Sequence, residues 1–216
     1  MDDLITRASA LPTAALSDAL DALGLPGALL GLVPLGPAAR LTGHAFTVGY
    51  EPAGRGDGDV GDFLDDVPPG GVVVIDNAGR TDCTVWGGIM TQTAIARGVA
   101  GTVIDGVCRD VATSLDREYP LFSRGRFMRT GKDRVRLTAV GGRVSIAGVS
   151  VAPGDVLRGD ADGVVVVPAA RLEEVVEVAG RIEEAERAIV RAVRQGRALR
   201  QARADFGYHG LQRGPR

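Results

Sequence analysis

Arg109 and Asp110 stand side by side at the end of the run GTVIDGVCRD, and the diglycine of WGGIM lies upstream. A guanidinium grips a carboxylate through two parallel hydrogen bonds. An aspartate offers hard oxygen to Mg²⁺, Mn²⁺ or another divalent cation, and Mg²⁺ in particular keeps several waters and needs few protein ligands. Gly87 and Gly88 carry no side chains, so a ligand can approach the backbone closely. A helix beginning there points its first amides outward, which makes a carboxylate or phosphate cradle. Together these groups suit a 2-oxo acid. Its carboxylate would lie on Arg109 and the backbone of Gly87, Gly88, Ile89 and Met90, with its keto oxygen near a cation on Asp110. Taken singly, each has a plainer reading: a Gly-Gly helix start is usually a tight turn, and an Arg-Asp pair is usually surface charge.

The elements around these residues predict that they meet. After Pro68-Pro69-Gly70, the apolar run Val72–Ile75 ends at Asp76; without polar alternation it reads as a strand covered on both faces. A loop leads to a helix from about Gly88 to Arg97, closed by Gly98. Gly101–Asp105 is then a second buried strand. Strand, helix and strand with short links imply a parallel pair with a right-handed crossover. Both strands then end on the edge where the helix begins, so Asp76-Asn77, the Gly87–Met90 entrance and Cys108-Arg109-Asp110 are expected to converge. Open α/β sheets bind ligands on that edge.

Elsewhere, Leu11–Leu23 reads as an amphipathic helix with Thr13 as N-cap and Gly24 as stop. LTGHAFTVGY is an alternating strand, and Gly54–Asp66 a loop with one short helical turn. After Pro120 come the β-like segments LFSRGRFM, RVRLTAV, RVSIAGVSV and GVVVVP, with turns at Pro153-Gly154-Asp155 and Asp160–Gly163. Arg171–Arg200 reads as one long helix, followed by a tail at 201–216. No linker divides the chain, so one mixed α/β domain is expected.

Several function classes find no support. The charge is nearly balanced, 25 Lys and Arg against 27 Asp and Glu, which gives no general pull toward nucleic acid or an anionic membrane. The Arg-rich stretch from Arg187 to Arg216 reads as a solvated helix face and frayed tail. No apolar run approaches the roughly 20 residues of a membrane span. Cys83 and Cys108 lack CxxC spacing and read as reduced, buried thiols. With an acidic Met1-Asp2-Asp3 start in place of a basic leader, the expected location is the cytoplasm. Only His44 and His209 are present and GxSxG is missing, which leaves a Ser-His-Asp hydrolase little support. Asp57, Asp59, Asp62, Asp65 and Asp66 lack the glycine a calcium loop needs. Gly54–Gly58 opens no helix and so makes no dinucleotide loop.

The segment WGGIMTQTAIARGVAGTVIDGVCRD, residues 86–110, resembles the signature of RraA-like proteins and HMG/CHA aldolases. LSDALDALG at 16–24, PPGGVVVID at 68–76 and GDVLRGDADGVVVVP at 154–168 extend the resemblance over most of the chain. It implies a swivelling-domain-like β/β/α sandwich, assembled as homotrimers or homohexamers with sites at subunit contacts. It also implies a class II pyruvate aldolase that decarboxylates oxaloacetate with a divalent metal. By position Arg109 matches the substrate-binding arginine, Asp110 the metal-binding aspartate, and Gly87–Met90 the stretch that presents backbone to substrate.

One departure stands out. The aldolase pattern places an acidic residue where this chain has Gly88, which leaves three readings: the substrate differs, another acid such as Asp76 or Asp82 substitutes, or aldol activity is weak. Decarboxylation needs no base for an alcohol and survives more easily. Glu186 falls on the long helix's apolar stripe between Ile182 and Ile189. Its plainer reading is a solvated or Arg-paired edge position; the sharper one is an acid reaching a neighbouring subunit's site. The competing functional expectation is a non-catalytic regulator that binds a ribonuclease, a branch that shares this fold. A methyltransferase is disfavoured because no cofactor loop is present.

Overall fold

The computed structural model describes residues 3–54, 56 and 60–211. Asp57 and Asp59 of the acidic loop, with Arg55, Gly58 and residues 212–216, fall outside the described residues. The chain opens with helices α1 (Asp3–Ser9) and α2 (Thr13–Ala22), then strands β1 (Val33–Pro34) and β2 (Leu41–Pro52). A 3-10 turn at Asp62–Asp66, as expected of that loop, precedes β3 (Val72–Thr84) and α3 (Gly88–Ala96). Next come β4 (Gly101–Cys108), α4 (Val111–Asp116), β5 (Leu121–Arg126) and β6 (Val135–Val140). The small hairpin β7 (Val144–Ile146) and β8 (Val149–Val151) is followed by β9 (Val156–Asp160) and β10 (Gly163–Val167). Helices α5 (Leu172–Arg194) and α6 (Leu199–Asp205) complete the fold.

The main sheet runs β1-β5-β4-β3-β2-β9-β10, with β6 also paired to β2. Strands β2, β3, β4 and β5 are mutually parallel, whereas β1, β6, β9 and β10 join antiparallel. The expected parallel strand–helix–strand unit is β3-α3-β4, in register from Val72 opposite Gly101 to Asp76 opposite Asp105. Strand β2 is long enough to serve two neighbours: Leu41–His44 pairs with β9 and Val48–Pro52 with β6.

Alternation along these strands separates three cores. Val73, Ile75 and Ile104 pack with Trp86, Met90 and Ala94 of the α3 side. Val72, Val74 and Val103 point the other way and meet Leu157, Val164 and Val166, together with Ile146 and Val151 of the hairpin. Val156, Val165 and Val167 then face Leu16 and Leu20 of α2 and Val175, Ala179 and Ile182 of α5. Helix, sheet, sheet and helix are stacked with an apolar layer at each contact. That stacking is why VVVI and GVVVV carry no polar alternation: each strand is covered on both faces.

Three local expectations are corrected. Thr13 is the first residue of α2, after Pro12 at the cap position. Its amide and hydroxyl donate to Asp160 at 2.9 and 2.6 Å, so a carboxylate from β9 does the capping. The loop expected after Asp76 is instead a continuation of β3 to Thr84, kinked by left-handed Ala78 and Gly79 and re-paired to β4 through Arg80 and Thr84. The long C-terminal helix stops at Arg194; Gly196 takes φ +92°, a conformation that breaks the helix before α6 begins. Among the described residues no helix is long and apolar enough to cross a membrane.

Candidate functional site

The C-terminal end of β4 turns sharply at Asp110, which adopts left-handed φ 54° and ψ 43°. For a side chain with a Cβ this costs about 1–2 kcal/mol. Local bonds hold the turn. The Arg109 amide donates to the Trp86 carbonyl at 3.0 Å, and Asp110 Oδ2 accepts the Gly88 amide at 2.8 Å. The WGG segment is anchored from below. Trp86 is buried, stacks on Tyr119 at 6.0 Å between ring centroids, and donates its indole N–H to Thr91 at 2.9 Å. Thr91 in turn shares a hydrogen bond with Ser114 of α4. Thr84 ties the end of β3 to both sides, its hydroxyl 2.8 and 2.9 Å from the Trp86 and Val107 carbonyls, which share its single proton.

The result is an open cavity of about 370 Å³ that brings together Gly87, Gly88, Ile89, Met90, Arg109 and Asp110. The Arg109 and Asp110 side chains are 41% and 49% exposed, and their nearest charged atoms are 3.7 Å apart. Each therefore keeps capacity for a ligand. A Cβ on Gly87 would stand 2.8 Å from Asp110 Oδ2 and 3.2 Å from Arg109 Nε, so these side chains would have to shift to admit one. The amide cradle is smaller than the sequence suggests, because the first amide of α3, on Gly88, already serves Asp110. The Ile89 and Met90 amides precede the first helical bond, from Thr91 to Gly87, and have no backbone partner among the described residues.

Other candidates lie elsewhere. Asp76 accepts the Ala78 and Ser145 amides at 2.9 and 3.1 Å, while its cross-strand neighbour Asp105 accepts the Ala147 amide at 2.7 Å and pairs with Arg124. The two carboxylates pin the β7–β8 hairpin to the sheet, and neither lines the cavity. Asp82 forms two 2.9 Å hydrogen bonds with Arg80, which hold its carboxyl below the usual range. It too is not among the residues lining the cavity, its carboxylate engaged by Arg80. Neither acid therefore occupies the place left by Gly88. Glu186 sits on α5 beside Asp18 and Glu183; burial and these like charges push its carboxyl upward. It is not among the residues lining the cavity of its own chain.

Burial pushes the Cys108 thiol up, with Ser123 and the Gly125 carbonyl as neighbours, as expected of an inert thiol. His44 is on β2, its Nδ1 3.0 Å from the Gly154 carbonyl. Sequence reasoning missed Asp62, Thr84, Thr130 and Lys132, which also line the cavity. Thr130 and Lys132 come from the 127–134 loop, drawn to Thr84 by a bridge at Thr130 and by the Thr84 amide donating to Arg129. A signal for Lys132 did exist, since it is the sole lysine in the chain.

Among the described residues no group of three His, Cys, Asp or Glu side chains gathers to hold a metal. Asp110 can contribute one carboxylate oxygen, because its Oδ1 has no hydrogen bond among the described residues. This donor set suits an ion that retains most of its water, as Mg²⁺ does.

Known proteins match this architecture. The chain is 39% identical over 211 residues to Protein DlpA of Legionella pneumophila, covering 96% of this chain but 34% of that protein, so it spans about a third of that relative's length. It is 34% identical to a Halalkalibacterium halodurans protein provisionally named 4-hydroxy-4-methyl-2-oxoglutarate aldolase, covering 88% of this chain and 89% of the relative. Among solved structures, Streptomyces coelicolor RraAS2, described as an unusual member of the RNase ES inhibitor RraA family, superposes with a TM-score of 0.80 at 28% identity. That match covers 87% of this chain and 95% of the other. A family model described as Aldolase/RraA matches residues 13–166, and the chain belongs to this RraA-like family.

Proposed function

We propose that the protein is a divalent-metal-dependent lyase acting on a pyruvate-type 2-oxo acid, with oxaloacetate decarboxylation favoured over retro-aldol cleavage of a 4-hydroxy-2-oxo acid. The observation that carries this reading is the half-exposed Arg109 guanidinium beside the half-exposed Asp110 carboxylate, in one cavity with the diglycine entrance of α3. The provisional aldolase name of the 34% identical relative agrees with it.

Arg109 takes the substrate carboxylate and fixes the 2-oxo group's orientation. Asp110 would hold the cation, which would supply Lewis-acid polarisation of the keto oxygen. As the C3–C4 bond breaks, its electron pair moves toward that oxygen, CO₂ leaves, and C3 then takes a proton from solvent. The positive charge of Arg109 favours the charge developing beside it. Aldol cleavage additionally needs a group to receive the hydroxyl proton. Gly88 offers none, so the task would fall to Asp62, the other carboxylate lining the cavity, or to solvent. Decarboxylation has no such requirement.

The test is a panel of oxaloacetate and 4-hydroxy-2-oxo acids assayed for pyruvate with Mg²⁺ and with chelator. Mg²⁺-dependent pyruvate release, fastest from oxaloacetate, is expected. Turnover of none of them would remove the enzymatic reading. Likeness to RraAS2 favours a second reading, a regulator that binds a ribonuclease. Capture of a ribonuclease by a chain without lyase activity would select it.

A further inference from the structure

Along the C-terminal helices the charge changes sign once. Leu172 to Glu186 holds six glutamates and one arginine, whereas Arg187 to Asp205 holds six arginines and one aspartate. The helix macrodipole favours that order but acts only on the first and last turns, and α5 is 23 residues long. Within the chain Glu174 pairs with Arg171 and Glu183 with Arg187. Glu173, Glu177, Glu184, Arg191 and Arg194 are exposed and have no ion pair among the described residues. The first four of these recur at helical spacing, on the side of α5 opposite the buried Val175, Ala179 and Ile182.

This stripe borders an open groove of about 820 Å³ between α1 and α5, whose lining includes Arg7, Glu177, Gly180, Glu184 and Arg191. Gly180 is the sole glycine of α5, and glycine weakens a helix interior relative to alanine. Nothing in the rest of the chain requires it, since a Cβ there would meet no atom within 4 Å. A bare backbone at that point admits close approach from outside. A partner of one charge sign, such as a nucleic acid or an anionic membrane, would match one half of the stripe and be repelled by the other. An antiparallel copy of the same helix matches both halves about a two-fold axis. We infer that this face of α5 joins two copies of the chain, with the Glu173–Glu177 end of each against the Arg191–Arg194 end of the other. The pairing is independent of the chemistry at the Arg109–Asp110 cavity.

Sedimentation equilibrium of the full chain at low ionic strength tests it. Arg191→Glu with Arg194→Glu reverses the basic end, and Glu173→Arg with Glu177→Arg reverses the acidic end. Each double variant alone should show half the wild-type mass, because like charges then meet, whatever other contacts hold the remaining protomers. An equimolar mixture of the two should regain the full mass, which also shows that both are folded. Gly180→Leu, a change that helix propensity favours, should halve the mass without altering charge. Double variants of wild-type mass, a mixture that stays at half mass, or a Gly180→Leu chain of full mass would each overturn the pairing. A groove that serves a different protein gives the first of these results.

Discussion

The protein contains two arginine–aspartate sites that the same chemistry has put to opposite uses. Arg109 and Asp110 stand on a strained turn, half-exposed, with atoms to spare. Arg158 and Asp160, on β9 beneath α2, are buried and fully engaged. Arg158 donates to the carbonyls of Leu11, Leu41 and Gly159, and Asp160 accepts both donors of Thr13 and the Asp162 amide. Burial works to raise the Asp160 carboxyl, but the Thr13 and Asp162 bonds and the charge of Arg158 outweigh it and hold the group low. A closed pair of sites of this kind joins distant parts of the chain. An open one, kept at a cost in backbone strain, is available to a ligand.

Substitutions should separate the two regions. The largest effect is expected for Arg109→Ala, with kcat/KM for oxaloacetate down about 100-fold or more and thermal stability little changed. Asp110→Gly should likewise abolish Mg²⁺-dependent activity. Its stability should stay within about 1 kcal/mol of wild type, because relief of the left-handed strain offsets loss of the bond to Gly88. At the closed site the order reverses. Asp160→Ala should cost about 3 kcal/mol in urea unfolding, since it strands buried donors, yet leave the activity of the folded fraction intact.

The pH dependence follows from the direction of the Asp160 shift. A carboxyl held low contributes stability that is present above its unfolded pKa and is lost as pH falls through the folded value. Asp160→Asn should therefore flatten the acid limb of the stability profile. Glu186 has the opposite sign: its raised carboxyl makes the fold less stable once pH rises through the folded value. Glu186→Gln should stabilise the protein at neutral pH by no more than about 0.5 kcal/mol, a gain that fades in acid.

What could be read in the sequence was what local pattern encodes. Runs buried on both faces announced β3 and β4, and the diglycine announced the start of α3, so the meeting of Arg109 with Gly87 followed from topology alone. The missed features depend on partners far along the chain. Thr13 and Asp160 are 147 positions apart, and nothing near either shows that they bond. Strand β3 continues past Asp76 because β4 re-pairs with Arg80 and Thr84 after the kink, so Thr84 rather than Asp76 lines the cavity. Lys132 reaches it through a loop fastened to Thr84, a tertiary contact without periodicity. Composition holds the one trace, a lone lysine. The helix break at Gly196 was visible as a residue, but the Arg-rich helical pattern on either side concealed it.

The most direct measurement uses Mn²⁺ as a paramagnetic reporter, following water-proton relaxation as pyruvate is added. Wild-type protein should bind Mn²⁺ and change its relaxation enhancement with pyruvate. Arg109→Ala should bind the ion but lose the pyruvate response, and Asp110→Ala should not bind the ion. Equal Mn²⁺ binding by folded Asp110→Ala, or an undiminished pyruvate response in Arg109→Ala, would contradict the assignment of cation and carboxylate to this turn.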